Sequence, residues 1–266
     1  MTETLLWSSE FVARAERQAL ESDPTASDPT ASDPTASDPT ASDPAASDPA
    51  ASDPTLVCRL DPAVIRSVQK FQVGESGDGP HLIAKAADTG DRDYETAIRL
   101  FVAEEQNHAR MLAEILRAAG APTINADWTD AVFVRLRRLL GLRLELMVLT
   151  VAEVVALRYY RALADGGGDE LLTRVSERIL DDERHHVPFQ CRRLAVEFRR
   201  KPRYAKRLAR HAWRGLALVV AIVVAVDHGP ALRACGVRRR QFVSDTMQLF
   251  DDAIATVFHE RPVSEG

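Results

Sequence analysis

Cysteine is scarce in this chain of 266 residues, which has three copies and no CxxC pair. This scarcity excludes a disulfide framework and favours a reduced, cytoplasmic setting. The first residues include acids and have no continuous apolar stretch, so we do not expect a signal peptide. No segment alternates apolar and polar residues in the manner of a β-strand. The remaining fold class is all-α.

Large apolar residues, lysine and arginine are all missing from residues 22–55, where the sequence repeats SDPTA or SDPAA. Because a proline occurs at every fifth position and nothing here can be buried, we expect a disordered, partly extended linker. Removing its seven aspartates from the net charge of −5 leaves +2, so the rest of the chain is mildly basic.

The linker separates a short N-terminal peptide, residues 1–21, from a helical domain, residues 56–266. Six residues of the peptide form a weak amphipathic face: Leu5, Leu6, Phe11, Val12, Ala15 and Leu20. The peptide is interpreted either as a frayed helix or as a docking peptide on a flexible tether. The helical domain retains about 210 residues, enough for one sizeable core.

Apolar residues of this domain recur at helical spacing in six segments. The segments cover about 62–87, 91–120, 129–164, 169–200, 203–227 and 237–260. The first four predict a core bundle over about 62–200, and the last two are extra helices over about 203–260. In the first segment Glu75 falls on the inward stripe, but Pro80 should kink or break the helix, so a loop at Glu75 is the alternative.

One spacing occurs twice in the core segments: a glutamate is followed thirty residues later by Glu-x-x-His. The two copies, offset by 78 residues, are Glu75 with Glu105 and His108, and Glu153 with Glu183 and His186. Residues three apart share a helix face, so each Glu-x-x-His directs a carboxylate and an imidazole to one point. Thirty residues correspond to half a helix, a turn and half the next helix. Two antiparallel helix pairs facing a common site are therefore predicted.

Four carboxylates and two imidazoles are the donor set of a dinuclear site, for which two iron ions are expected and manganese is the alternative. Without cations, the burial of four carboxylates would be strongly unfavourable. Glu145 is a rival of Glu153 that breaks the spacing. Glu104 and Asp182, which precede the two Glu-x-x-His motifs, are expected to face solvent, and support of the metal ligands is the alternative. His185 is not expected to be a ligand.

These residues resemble the ferritin-like superfamily of carboxylate-bridged dimetal proteins, whose pattern is Glu, Glu-x-x-His, Glu and Glu-x-x-His on four successive helices. The match covers roughly residues 62–200. The resemblance implies a ferritin-like four-helix bundle with two additional C-terminal helices, a di-iron centre, bridging glutamates and capping histidines. The duplicated motif is specific to the superfamily but not to one activity.

Within that superfamily we expect a di-iron oxidoreductase that activates O2 or peroxide, oxidises a small organic substrate and forms a homodimer. No residue beyond the metal ligands is predicted to be catalytic. A ferroxidase and iron store is the alternative, as cargo of a larger shell bound through the N-terminal tether. A structural adaptor without metal is a third hypothesis. Small residues around Glu75 would leave space for a substrate beside the metals.

A basic run, residues 199–214, precedes eleven apolar residues, Leu216–Val226. The run is interpreted as a solvated face followed by a core helix, with a membrane surface or an anionic substrate as alternatives. Few aromatics are interleaved, so nucleic acid is not favoured. Tyr94 and Tyr160 lie about whole turns from ligand glutamates, either as redox-active phenols or as plain interior tyrosines.

Overall fold

The computed structural model describes residues 12–14, 58–77, 79–127 and 141–258, and all regular secondary structure in these ranges is helical. The helices are α1 (Pro62–Glu75), α2 (Gly79–Ala87), α3 (Arg92–Ala118), α4 (Leu142–Gly166), α5 (Glu170–Arg199), α6 (Arg203–Asp227), α7 (Gly229–Ala234) and α8 (Arg239–Phe258). The predicted all-α fold, a four-helix core with additional C-terminal helices, is confirmed.

The core has four helical positions: α1 and α2 together form the first, and α3, α4 and α5 form the other three. In it α1 and α2 pack on α3, α4 packs along α5, and α3 contacts α5 across the bundle. Aspartates fix where three of these helices begin: Asp61, Asp91 and Asp169 each accept a hydrogen bond from a backbone N–H of the first turn. Such caps satisfy donors that a helix start leaves unpaired. They set the register of the helices that hold the candidate ligands.

The first predicted helix is divided in two, because α1 ends at Glu75 and α2 begins at Gly79. Gly74, Gly77 and Pro80 make this stretch a poor helix former, as the sequence predicts. Gly79 also lies so close to Val102 that a Cβ at this position would overlap the valine side chain. The break therefore leaves Glu75 at a helix end.

Several predicted boundaries lie outside the described residues. They include the linker, most of the N-terminal peptide, the start of the third segment at 129 and the last residues of the sixth. The fifth segment coincides with α6, whereas the short α7 was not predicted.

Helix α6 is buried on one side only. Trp213, Ala217, Ala221 and Ala225 face the bundle, and the Trp213 Nε1–H donates to the Met147 carbonyl oxygen at 2.7 Å. On the other side large apolar residues are exposed, among them Val219 (58%), Ile222 (46%) and Val226 (56%). Among the described helices, α6 is long and apolar enough to cross a membrane by length and composition, and 22% of that span is buried. The expected core helix is thus a helix with an apolar outer face.

Candidate metal centre

All six predicted ligands lie together inside the bundle. Glu75 comes from the end of α1, Glu105 and His108 from α3, Glu153 from α4, and Glu183 and His186 from α5. Five of the six are buried and Glu105 is half-buried. Mid-helix positions in α3, α4 and α5 bring these side chains to one height, as the spacing of thirty predicts.

The six residues form two overlapping groups of four. One group is Glu75, Glu105, His108 and Glu183, and the other is Glu105, Glu153, Glu183 and His186. Within each group one ligand atom per residue lies within 4.8 Å of the others. Since Glu105 and Glu183 belong to both groups, each can bridge two cations.

The imidazole Nδ1 atoms point into these groups. His108 Nδ1 lies 3.6 Å from Glu75 Oε2, Glu105 Oε1 and Glu183 Oε1. His186 Nδ1 lies 3.3 Å from Glu105 Oε1, 3.5 Å from Glu183 Oε2 and 3.6 Å from Glu153 Oε2. Atoms that bind one cation at about 2.1 Å, at right angles to each other, lie about 3 Å apart. The separations are close to those of atoms that share an ion.

The outer nitrogens of the two histidines are held crosswise by acids of the opposite helix. The Nε2–H of His108 donates to Asp182 Oδ2 at 3.2 Å, and that of His186 donates to Glu104 Oε2 at 2.9 Å. This tautomer leaves a lone pair on each Nδ1 for a metal. The expectation that Glu104 and Asp182 face solvent is therefore wrong. Both Glu-x-x-His motifs are preceded by an acidic residue, and this repeated feature could have indicated that the acid holds a histidine of the opposite helix.

The two unshared glutamates also have donors. Tyr160 donates a short hydrogen bond to Glu75, and Gln190 Nε2 donates to Glu153 Oε1 at 3.0 Å. Thr150 Oγ1 in turn donates to Gln190 Oε1 at 2.9 Å. Tyr160 was a sequence candidate, whereas Gln190 was missed. Its position one turn after His186 on the same helix face could have indicated it.

Burial and mutual repulsion keep protons on this cluster. Burial raises the pKa of Glu105 to about 8, assisted by the charges of Glu153 and Glu75. The same causes, burial and Glu153, raise the pKa of Glu183 well above its usual value. For His108 burial lowers the pKa, but Asp182 and Glu75 outweigh it and the pKa rises to about 9. Metal binding would release these protons.

Several ligand atoms of the cluster lack the hydrogen-bond partners that buried polar atoms normally have. Glu105 Oε1, His108 Nδ1 and Glu183 Oε2 are buried and have no hydrogen-bond partner among the described residues. Buried polar atoms are normally paired, so atoms of this kind need an explanation. Two divalent ions would balance the four carboxylates and supply the missing partners.

A cleft opens beside the first group. Its cavity volume is about 30 Å³, and it opens to solvent and reaches Glu75 and Glu105. The other lining residues are Gly74, Gly77, Gly79, Leu82, Phe101, Val102, Gln106 and Leu149. The division between α1 and α2 forms one wall, so small residues do leave space next to the centre.

Other sequence candidates lie elsewhere. Glu145 is buried in an ion pair with Lys85, at 2.6 Å, and belongs to neither ligand group. His185 is exposed and lies 2.8 Å, through Nδ1, from the Asp181 carbonyl oxygen. Tyr94 packs under the Arg193 guanidinium, 4.3 Å from its ring centre. Asp78 lies outside the described residues.

No protein-family model matches the chain, and no curated protein matches it. Among solved structures, the chain is similar to a Synechococcus protein described as "Protein 19 with aldehyde deformylating oxidase activity". The two chains are 18% identical, the TM-score is 0.55, and the match covers 75% of this chain and 93% of the other. At this identity the likeness shows a shared helical fold over most of both chains.

Proposed function

We propose that this protein is a di-iron oxidoreductase that activates O2 or peroxide and oxidises a small organic substrate. The observation that supports it most strongly is the pair of overlapping ligand groups that share Glu105 and Glu183. The oxidase activity of a protein with a similar fold supports the same class of chemistry. Iron is proposed over manganese, which the same donor set would also accept.

In this proposal Glu105 and Glu183, which belong to both ligand groups, would help to hold both ions, and His108 and His186 would each help to hold one. Two iron ions so held would supply the electrons for the reduction of O2 or peroxide. Asp182 and Glu104 keep each imidazole in the tautomer and orientation that binding needs. Carboxylates can change between bridging and terminal binding, which allows the ligand set to adapt to a change in metal charge.

The cleft beside Glu75 is the proposed substrate site. Its walls include Leu82, Phe101 and Leu149, so an apolar part of a substrate would be sheltered from water there, near Glu75 and Glu105. Burial and the neighbouring Glu75 raise the Tyr160 pKa well above its usual value, so its hydroxyl stays protonated and remains a donor to Glu75. That donor would hold the carboxylate at the edge of the cleft.

Anaerobic loading with Fe(II), followed by exposure to O2, tests the proposal. We expect two iron ions per chain, O2 consumption and a transient visible absorption band. His186→Gln should lose at least one iron ion, whereas the matched control His185→Gln, which alters the exposed neighbour, should keep both. A protein that binds neither iron nor manganese would overturn the proposal. Oxidation that ends in a ferric mineral core within a large particle would instead support the iron-storage alternative.

A further inference from the structure

A piece of the N-terminal peptide lies on the bundle at the candidate metal centre. Residues 12–14 are helical and precede the repeat linker. Val12 packs against the core cluster that includes Phe101 and Phe189. The side chain of Arg14 is only 12% exposed. The peptide thus contacts the bundle through both an apolar and a charged residue.

Arg14 contacts the two carboxylates that hold the histidines. Its Nη1 donates to Asp182 Oδ1 at 3.2 Å, and its Nη2 donates to Glu104 Oε1 at 3.2 Å. The other oxygen of each carboxylate accepts the hydrogen bond from His108 or His186. One guanidinium therefore connects α3 to α5 through the acids that orient both candidate ligands.

Charge explains why this contact is favourable. Asp182 is 1% exposed and Glu104 14% exposed, so each carboxylate needs a partner to compensate for lost water. The planar guanidinium presents two N–H groups in a fixed fork, which fits two acids on neighbouring helices better than a lysine ammonium would. Arg178 lies 3.4 Å from Asp182 as well, on the side of Oδ2. Arg14 thus forms ion pairs with both Glu104 and Asp182, and Arg178 forms a second ion pair with Asp182.

We propose that Arg14 is a positioning residue, which docks the N-terminal peptide on its own bundle and fixes the acids that orient His108 and His186. The inference rests on the proposed function in one respect, namely that these histidines bind metal. The peptide and the bundle belong to one chain, so their contact is intramolecular and is favoured over binding of a free peptide. We therefore infer that this chain's own N-terminal peptide occupies the surface around Glu104 and Asp182. The competing outcome is that the peptide binds a separate shell protein instead.

The full-length protein and the variants Arg14→Gln and Arg14→Lys test this role. Hydrogen–deuterium exchange of residues 1–21 reports docking without any metal. Titration with Co(II), followed through its visible ligand-field bands, reports the geometry of the ligands. Arg14→Gln should lose the protection of residues 1–21, bind Co(II) about 10-fold to 100-fold more weakly and change the bands. Arg14→Lys, which keeps the charge but not the fork, should lie between it and the parent protein.

Arg99→Gln is the matched control, because Arg99 is exposed on α3 and pairs with Glu95 of the same helix. It should leave exchange and Co(II) binding unchanged. The inference is overturned if Arg14→Gln keeps the parent's Co(II) affinity and bands, whether or not the peptide is released. It is also overturned if residues 1–21 become protected only when a separate partner is added. Failure of the parent protein to bind Co(II) would instead count against the metal centre itself.

Discussion

The two halves of the candidate centre hold their unshared glutamates differently. Glu75 stands at the end of α1 beside the open cleft, and a tyrosine hydroxyl donates to it. Glu153 lies in the middle of α4, where Gln190 donates to it and Thr150 fixes Gln190. The first half is therefore open on one side, whereas the second is enclosed by two uninterrupted helices.

This difference suggests that the two halves have different roles in substrate access and ion binding. A helix end imposes fewer backbone constraints than a helix interior, so Glu75 can change its binding mode at lower cost than Glu153. The cleft also reaches Glu75 and Glu105 but not Glu153. We expect the substrate to meet the centre in the first half, and the second half to hold its ion more tightly.

The largest effect is expected from replacing a ligand that both halves of the centre share. Glu183→Gln replaces a shared ligand, so both ions lose a donor and their affinity should fall by more than about 100-fold, beyond what an outer partner contributes. Glu75→Gln and Glu153→Gln should each weaken mainly one ion. Metal analysis after anaerobic Fe(II) loading measures the stoichiometry. Two tightly bound ions in Glu183→Gln would show that this residue does not bridge.

An effect confined to the first half should follow from filling the cleft. Gly74 lines the cleft, and a Cβ at this position would meet no atom within 4 Å, so the backbone has room for a side chain here. We expect the ring of Gly74→Phe to occupy the cleft. The rate at which the Fe(II)-loaded protein reacts with cumene hydroperoxide should fall about tenfold or more, about 1.4 kcal/mol in barrier. Its reaction with the smaller hydrogen peroxide should change less, and the iron content should not change.

Gly215→Phe is the matched control, since Gly215 is exposed on α6 and a Cβ there also meets no atom within 4 Å. It should leave both peroxide rates unchanged. Equal slowing of the two peroxides in Gly74→Phe would mean that the cleft is not the route to the centre.

Helix periodicity explains which parts of this arrangement could be predicted. The six ligands follow from the 3.6-residue period and the constant spacing, both of which are properties of local sequence. Glu104 and Asp182 were misjudged because each partners a histidine of the opposite helix. A residue next to an inward ligand lies at the edge of the helix face, and whether that edge meets solvent or the opposite helix depends on packing. Arg14 was missed for the same reason, since its partners are distant in sequence.

The smallest effects should come from the two donors that distinguish the halves. Gln190→Leu leaves the buried Glu153 oxygen without its donor, which should cost about 1–3 kcal/mol of unfolding free energy and weaken the second ion. Tyr160→Phe removes the donor to Glu75. Because Glu75 itself lines the cleft, a water there can replace the buried hydroxyl, so the cost should be about 1 kcal/mol or less. Thermal unfolding and iron stoichiometry measure both variants. We expect the second half to be more sensitive because Gln190 and Glu153 are buried and do not line the cleft. A Tyr160→Phe protein that lost iron while Gln190→Leu kept both ions would reverse the assignment of the open and enclosed halves.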